Sequence, residues 1–258
     1  QIMQTTDIRE IRITKFGVCF HIGDEGIWLY APENESRVAP IEILNFGKYE
    51  PYETKVMDLL SADAQHILDV GANIGWYSVR FAKRYPQSQI YSFEPLPLTY
   101  SFLEKNVVLN DVEDNVKCFN FGLSDASGSF EYYVAPGAGT NASLLNLVNS
   151  DKAKKVVCLT QTIDQWCSNN DVCPDFIKCD VEGAELLVCR GGTEVLTANQ
   201  PLIFAELLRK WSKPFGYHPN DMLSFLSRLG YVCFAVGESG VRYIDVITDE
   251  TLETNYAF

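Results

Sequence analysis

Short apolar runs alternate with helix-like segments along the chain from about His66 onward. This rhythm constrains the fold strongly, because parallel strands need crossover connections, which are usually helices. The predicted strands are residues 66–70, 89–93, 116–121, 176–179 and 202–205, with a hairpin arm at 129–134 and a closing antiparallel pair at 231–236 and 241–247. The pattern predicts a doubly wound, Rossmann-like α/β sheet that is mostly parallel and has an antiparallel edge hairpin.

The first 45 residues lack the alternation of apolar runs and helix-like segments that is found later in the chain. Two short β-like runs, residues 18–21 and 27–30, flank a glycine-containing turn there. We therefore predict an N-terminal β extension over residues 1–45 and a main α/β domain over residues 46–258. Residues 135–151, rich in Gly, Asn and Ser, are predicted to form a long loop of the kind that often acts as a lid or binding loop.

Composition and charge argue against several classes of protein. The chain has 258 residues, 47% of them hydrophobic, and a formal net charge of −13. The hydrophobic content excludes intrinsic disorder, and the acidic balance argues against a nucleic-acid partner, which needs clustered Lys and Arg. No apolar run approaches the roughly 20 residues of a membrane-spanning helix. Eight cysteines without a C-x-x-C pair and only three histidines favour a reducing, cytoplasmic setting and argue against a zinc site.

A glycine-containing turn, DVGANIG at residues 69–75, joins the first predicted strand to its helix. Glycines at such a junction let the backbone turn tightly and allow a ligand to approach it closely. Glu94 follows Gly75 by nineteen residues and ends the second predicted strand. An acid at that position accepts hydrogen bonds from ribose hydroxyls in nucleotide-binding α/β folds. The combination favours an adenosine-bearing ligand over a simple tight loop.

The residues around this turn favour one kind of adenosine ligand. The dinucleotide fingerprint requires glycine at the position that Asn73 occupies. Asp69, Glu94 and Asp180 are predicted to converge on one crevice, where three carboxylates would repel a diphosphate and attract a ligand with an amine and a sulfonium. S-adenosylmethionine is such a ligand. A nicotinamide-dependent oxidoreductase remains the alternative from another enzyme class.

Several further motifs lie between about residues 46 and 236. They are the YE pair at 49–50, the turn at 69–75, FEP at 93–95, Asn106 with Asn110, GLSD at 122–125 and TID at 162–164. The most specific is IKCDVEGAE at residues 177–185, where Cys179 stands in place of the more usual apolar residue. With these motifs the sequence resembles the FkbM family of S-adenosylmethionine-dependent methyltransferases, which implies a class I methyltransferase sheet over residues 46–258.

The resemblance implies a donor site at the turn. The methionine part of S-adenosylmethionine would contact the turn itself, the ribose would bind Glu94, and the adenine would border Leu123 and Ser124. The full set of predicted donor-binding residues is Glu50, Asp69, Gly71, Ala72, Asn73, Gly75, Glu94, Pro95, Leu123, Ser124 and Asp180. For Asn106 and Asn110, four apart on one helix face, a helix-end hydrogen-bonding role is the preferred interpretation.

Lys178 and Asp180 should project to the same side of their strand, because side chains alternate along it. A buried lysine needs a partner, for which Glu206 and Asp180 are the candidates, and a structural ion pair remains open for Lys178 beside a catalytic role. The candidate general bases are Asp180, Glu182, Glu206 and His218. Asp180 is first by position, although crowding could instead give Glu182 or Glu206 the raised pKa that a base requires.

The predicted function is an O-methyltransferase that uses S-adenosylmethionine and acts on a hydroxyl of a sugar or glycan. The glycan acceptor follows from the resemblance, since family members often modify saccharides and can be fused to glycosyltransferase domains in a larger polypeptide. A non-sugar hydroxyl, a carboxylate and a non-catalytic glycan-binding module remain alternatives. No metal site is predicted.

Overall fold

The computed structural model describes residues 5–23, 25–33, 35–134, 142–143 and 154–258. The strands are β1 (Ile8–Thr14), β2 (Gly17–Ile22), β3 (Ile27–Tyr30), β4 (His66–Val70), β5 (Gln89–Phe93), β6 (Val116–Phe119), β7 (Gly122–Leu123), β8 (Gly128–Val134), β9 (Ala142–Ser143), β10 (Lys154–Gln161), β11 (Phe176–Cys179), β12 (Leu202–Glu206), β13 (Cys233–Gly237), β14 (Gly240–Ile244) and β15 (Asn255–Ala257). The helices are α1 (Ala39–Phe46), α2 (Pro51–Leu60), α3 (Trp76–Arg84), α4 (Pro97–Leu109), α5 (Ile163–Asn170), α6 (Glu185–Arg190), α7 (Thr193–Asn199), α8 (Arg209–Ser212) and α9 (Pro219–Arg228). Within the described residues, no helix has the length and apolar character needed to cross a membrane.

An eight-stranded sheet has the order β14-β13-β15-β12-β11-β4-β5-β6. Strands β12, β11, β4, β5 and β6 are parallel, whereas β15, β13 and β14 pair antiparallel at one edge. Taken in chain order, the five parallel strands have the spatial order 3-2-1-4-5 of a doubly wound fold. The order reverses between β4 and β11, and ligands bind such sheets at this switch point. The predicted fold class is confirmed.

The parallel strands are apolar because both faces of the sheet are covered. Successive residues of β4 point to opposite faces: Leu68 packs in a cluster with Trp166, and Ile67 packs in the other cluster with Phe81 and Phe176. This burial on both sides fixes the register of the strands. It therefore also fixes where the carboxyl ends of β4 and β11 meet.

The sequence pattern does not predict β15, which inserts antiparallel between β12 and β13. Three residues are too few for a recognisable alternation of apolar and polar side chains. Residues 183–196, whose sequence has a helical pattern, form two helices, α6 and α7, separated at Gly191 and Gly192. A Cβ on Gly191 would lie 2.0 Å from the carbonyl oxygen of Ser124, so a close chain crossing explains that glycine.

The predicted hairpin arm at residues 129–134 is strand β8, but its partner lies far along the chain. β8 pairs antiparallel with β10, with Gly128 opposite Thr160, and β10 also pairs in parallel with β7. Together with β9 these strands form a four-stranded sheet. The predicted long loop of residues 135–151 lies outside the described residues, apart from Ala142–Ser143.

Strands β1, β2 and β3 form a separate antiparallel sheet, so the predicted N-terminal β extension contains one strand more than expected. Asn106 of α4 and Asn110, which caps the end of this helix, attach it to the main domain. The Oδ1 atoms of Asn106 and Asn110 accept hydrogen bonds from the backbone nitrogens of Tyr30 at 2.7 Å and Trp28 at 2.9 Å. The two asparagines thus join a helix to a distant strand, which goes beyond the expected helix-end role. The predicted domain boundary after residue 45 stays a prediction.

Candidate functional site

A crevice of about 980 Å³, including space open to solvent, lies at the carboxyl ends of β4, β5, β6 and β11. Its walls are residues 70–74 at the end of β4, residues 93–96 at the end of β5, Gly122 with Leu123 in β7, and several residues from Lys178 to Ala184 at and beyond the end of β11. The crevice occupies the switch point of the sheet, where the sequence places the donor.

The backbone at Gly71 brings β4 and β11 together at the base of the crevice. Gly71 has a φ of +79°, and a Cβ built on it would lie only 1.9 Å from the carbonyl oxygen of Asp180. The nitrogens of Gly71 and Ala72 both donate to the carbonyl of Phe93, at 3.1 and 3.0 Å. Only glycine fits this position, because any side chain would push the two strand ends apart.

Glu94 is buried at the end of β5, with 5% of its surface exposed. Its Oε2 atom accepts a hydrogen bond from the nitrogen of Asn73 at 3.1 Å, and its Oε1 atom accepts one from the nitrogen of Leu96 at 2.9 Å. Burial raises the pKa of Glu94 to about 7, although these two hydrogen bonds oppose the rise. Each carboxylate oxygen keeps a second lone pair, so Glu94 can still accept hydrogen bonds from a pair of ribose hydroxyls.

Lys178 is held by three oxygens beneath the crevice. Its Nζ atom lies 3.0 Å from the carbonyl oxygen of Gly71, 3.5 Å from Asp69 Oδ1 and 3.8 Å from Asp180 Oδ2. Burial lowers the pKa of Lys178, but attraction to Asp69, Asp180 and Glu50 outweighs it and raises the pKa above its ordinary value. The expected pairing with Asp180 is therefore present. Within the described residues, Lys178 does not form the expected pair with Glu206. Its second carboxylate partner is Asp69 instead.

Asp69 lies behind the crevice wall and does not line it. The side chain is fully buried, and its Oδ2 atom accepts a hydrogen bond from Ser78 Oγ at 2.6 Å. The ion pair with Lys178 uses the other oxygen. The structure therefore places Asp69 where it orients Lys178. From this position Asp69 does not reach a ligand in the crevice.

Two acids face the crevice beside Glu94. Asp180 follows β11 and keeps 35% of its side chain exposed, and Glu182 adopts a left-handed backbone with a φ of +54°. Burial raises the pKa of Glu182 to about 7, and repulsion by Asp180 adds to the rise. Asp180 and Glu182 are therefore the predicted bases that reach the ligand space.

Glu50 lies next to the crevice at the start of α2. It accepts a short hydrogen bond from the hydroxyl of Tyr77. Burial raises the pKa of Glu50 to about 7, opposed by the hydrogen bond from Tyr77 and increased by repulsion from Asp180. Glu50 itself is outside the residues that line the crevice, whereas Tyr77 and Tyr49 line it.

Glu206, at the end of β12, stands behind the acids of the crevice and does not line it. Burial raises its pKa to about 9, and repulsion by Asp180, Glu50 and Glu182 contributes further. Glu206 thus holds a proton at neutral pH in the folded protein.

Replacing Glu206 by Gln is expected to stabilise the ligand-free protein at pH 8 but not at pH 4. The folded-state pKa of about 9 lies above the ordinary value of 4.5, so folding retains a proton that the unfolded chain loses, and the free energy of unfolding falls as pH rises between these values. The neutral amide of Gln does not titrate, so the variant avoids this fall in the free energy of unfolding. A gain on the order of 1 kcal/mol, or about 2–4 °C in Tm, should appear by calorimetry at pH 8.

Glu113→Gln, at an exposed position, is the control. A pH-independent difference for Glu206→Gln would contradict the expectation.

Several predicted residues lie outside the crevice. His218 caps α9: its Nδ1 atom accepts a hydrogen bond from the nitrogen of Asn220 at 3.2 Å. His218 does not line the crevice. Gly75 packs against Leu103 of α4, and Ser124 is buried with its nitrogen bonded to the carbonyl of Gln161 at 2.9 Å. The predicted residues that do line the crevice are Gly71, Ala72, Asn73, Glu94, Pro95, Leu123, Lys178, Asp180 and Glu182.

Other lining residues are absent from the sequence-based prediction. Tyr132 of β8 closes the end of the crevice near Gly122, where a Cβ would lie 2.6 Å from the tyrosine hydroxyl. From the sequence alone a packing role is expected for Tyr132; the side chain is buried, but it also lines the crevice. Arg37 and Trp76 also line the crevice. No sequence signal finds Tyr132, because it depends on the pairing of β8 with β10.

The described residues contain no group of three or more His, Cys, Asp or Glu side chains arranged to hold a metal ion. The 3-2-1-4-5 sheet and the acid-lined crevice at its switch point together define a Rossmann-like fold of the class I methyltransferase type. A solved structure of the same general fold, the METTL16 MTase domain, has a TM-score of 0.50 and 14% identity, covering 100% of this chain and 87% of that one.

The chain belongs to the FkbM methyltransferase family. The family described as "Methyltransferase FkbM domain" matches residues 69–233, well over half of the chain. The 2-O-methyltransferase NoeI of Sinorhizobium fredii is 29% identical over 161 residues, which cover 57% of this chain and 65% of NoeI. The hexuronic acid methyltransferase AglP of Haloferax volcanii is 28% identical over 179 residues, which cover 68% of each chain. This chain thus spans about two thirds of these relatives.

Proposed function

We propose that the protein transfers a methyl group from S-adenosylmethionine to a hydroxyl of a sugar or glycan. The observation that carries the proposal is the acid-lined crevice at the switch point between β4 and β11. A cationic donor suits these carboxylates, whereas the diphosphate of a dinucleotide would be repelled by them. Asn73 in place of the second fingerprint glycine also disfavours a dinucleotide.

The residues present fit this donor from one end to the other. The methionine part would lie against the turn after β4, whose residues 71–74 line the crevice. Glu94 would hold the ribose through its free lone pairs, and Leu123 with Tyr132 would border the adenine. When bound, the donor supplies an electrophilic methyl carbon on a positively charged sulfur.

The protein's own part in the chemistry is alignment and removal of one proton. Alignment of reactants can supply several kcal/mol of the barrier. Asp180 accepts the proton that the acceptor hydroxyl loses as its oxygen bonds to the methyl carbon and the methyl–sulfur bond breaks, with the electron pair left on sulfur. Its position, exposed at the crevice and anchored by Lys178 at 3.8 Å, supports this role. Glu182 is the second candidate, because it also lines the crevice.

Two observations support a sugar as the acceptor. Tyr49 and Trp76 line the crevice with their ring centroids 6.1 Å apart in an edge-on arrangement, and such rings can pack on the apolar face of a sugar. Among the relatives, one is named a 2-O-methyltransferase and one a hexuronic acid methyltransferase. These names suit transfer to oxygen and a saccharide substrate.

Incubation with methyl-labelled donor and a panel of saccharides tests the proposal. Labelled methyl ethers are expected, together with stabilisation by S-adenosylhomocysteine and none by nicotinamide dinucleotides in a thermal-shift assay. Donor binding without label in any saccharide would overturn the sugar acceptor. Stabilisation by the dinucleotides alone would overturn methyl transfer and favour an oxidoreductase.

A further inference from the structure

Arg37 stands at the crevice although it belongs to neither the matched family domain nor the sheet that builds the site. It is exposed, precedes α1, and lines the crevice together with Val38 and Ala39. The family match begins only at residue 69. The segment ahead of α1 therefore contributes a charged side chain to a site that the rest of the chain builds.

The charge pattern of the crevice makes this arginine unusual. The titratable acids that line the crevice are Glu94, Asp180 and Glu182. Within the described residues, the other cation of the lining is Lys178, with 7% of its side chain exposed and with Gly71, Asp69 and Asp180 around its Nζ atom. Lys178 is thus committed to the protein, and Arg37 is the cation that remains for a ligand.

The proposed donor carries a carboxylate that this crevice would otherwise repel. The amino-acid end of S-adenosylmethionine is a zwitterion, so its ammonium suits the acids while its carboxylate needs a positive partner. An arginine fork can bind a carboxylate through two parallel hydrogen bonds. Resting on the proposed function, we propose that Arg37 binds the carboxylate of the donor's amino-acid end and so makes the N-terminal segment part of the donor site.

Two features of the surroundings agree with this role. Burial raises the pKa of Glu182 to about 7, and the charge of Arg37 opposes that rise, so Arg37 lies within electrostatic reach of the acidic wall. Arg37 also directly precedes Val38, the N-cap of α1, which lacks a side-chain cap. The N-terminal end of a helix favours an adjacent negative charge, which adds to the attraction exerted by the arginine.

The test compares two ligands that differ in the amino-acid end. S-adenosylhomocysteine has the carboxylate, whereas 5′-methylthioadenosine has the same nucleoside and thioether without it. By calorimetric titration of the full chain, Arg37→Gln should weaken S-adenosylhomocysteine binding by about 10-fold or more and change 5′-methylthioadenosine binding less than about 2-fold. Arg37→Lys should fall between, because it keeps the charge and loses the fork. Arg228→Gln, at an exposed site on α9, is the matched control.

The outcomes separate this inference from the proposed function. Equal weakening of both ligands, or unchanged binding of both, in Arg37→Gln would overturn the role of Arg37 while leaving the donor assignment intact. Unchanged S-adenosylhomocysteine binding with weaker turnover of an acidic saccharide would overturn it in favour of an acceptor contact. If the unaltered protein bound neither ligand, the proposed function would fail first and the inference with it. A ligand-selective loss is the result that supports the carboxylate contact.

Discussion

Asp180→Asn is expected to lower kcat for methyl transfer by about 100- to 10,000-fold, the usual effect of losing a general base. Asn keeps the shape of the side chain but cannot accept the proton of the acceptor hydroxyl. The fold should persist, because the backbone nitrogen of residue 180 still donates to Val70 and Lys178 keeps its pairing with Asp69. Rates should be measured with saturating donor, and donor affinity by calorimetric titration with S-adenosylhomocysteine.

The matched control for that variant is Asp111→Asn, at an exposed position after α4, which should leave kcat unchanged. Loss of the negative charge at Asp180 also removes a repulsion that raises the pKa of Glu182. Glu182 is then ionised over a wider pH range, which makes it the base for any residual activity of Asp180→Asn. The double variant with Glu182→Gln should therefore lose that residual activity. Turnover of Asp180→Asn equal to that of the unaltered protein would remove Asp180 from the base role.

Gly71→Ala is expected to destabilise the protein by about 2–5 kcal/mol and to abolish donor binding. Two costs add: a left-handed backbone with a side chain costs roughly 1–2 kcal/mol, and overpacking a tight site typically costs a further 1–3 kcal/mol. The methyl group would lie 1.9 Å from the carbonyl oxygen of Asp180, and a backbone atom cannot rotate away. Relief requires the ends of β4 and β11 to separate, which displaces Asp180 from the crevice.

Gly216→Ala separates the two costs, because Gly216 has nearly the same φ, +78°, with no atom within 4 Å of its Cβ position. This control carries the backbone strain without the clash, so it should lose about 1–2 kcal/mol and keep its donor affinity. Denaturant unfolding gives the stabilities, and calorimetric titration with S-adenosylhomocysteine gives the affinities. Equal stability losses in the two variants, with donor affinity retained in Gly71→Ala, would show that the close approach at Gly71 is not required.

The central sheet could be predicted because its strands identify themselves locally. Both faces of β4, β5, β11 and β12 are covered, so these strands are rich in apolar residues and stand out in the sequence. The sequence pattern does not predict β10 and β15, and the reasons differ. β15 is short and takes its place from two neighbours, whereas β10 joins β8 only after a long intervening segment.

The residues of the candidate site also fall into those that the sequence predicts correctly and those that it misassigns. Gly71 and Glu94 carry their signals in the sequence, since one needs a tight turn and the other ends a strand at a recognisable interval. Asp69 and His218 have the right chemistry in the sequence, but the first is buried against Ser78 and the second caps α9. Side-chain type alone does not reveal whether a charge faces a ligand or another part of the protein.

The sequence by itself determined the parallel strands of the central sheet, the turn after β4 and the family of the chain, because each depends on neighbouring residues that form a local pattern along the chain. Only the tertiary structure decided which acids reach the crevice, that Lys178 is paired with Asp69, and that Tyr132 and Arg37 line the site. The physical reason is burial. The same carboxylate or ring serves the core or a ligand according to which distant segments pack around it, and those contacts leave no local pattern.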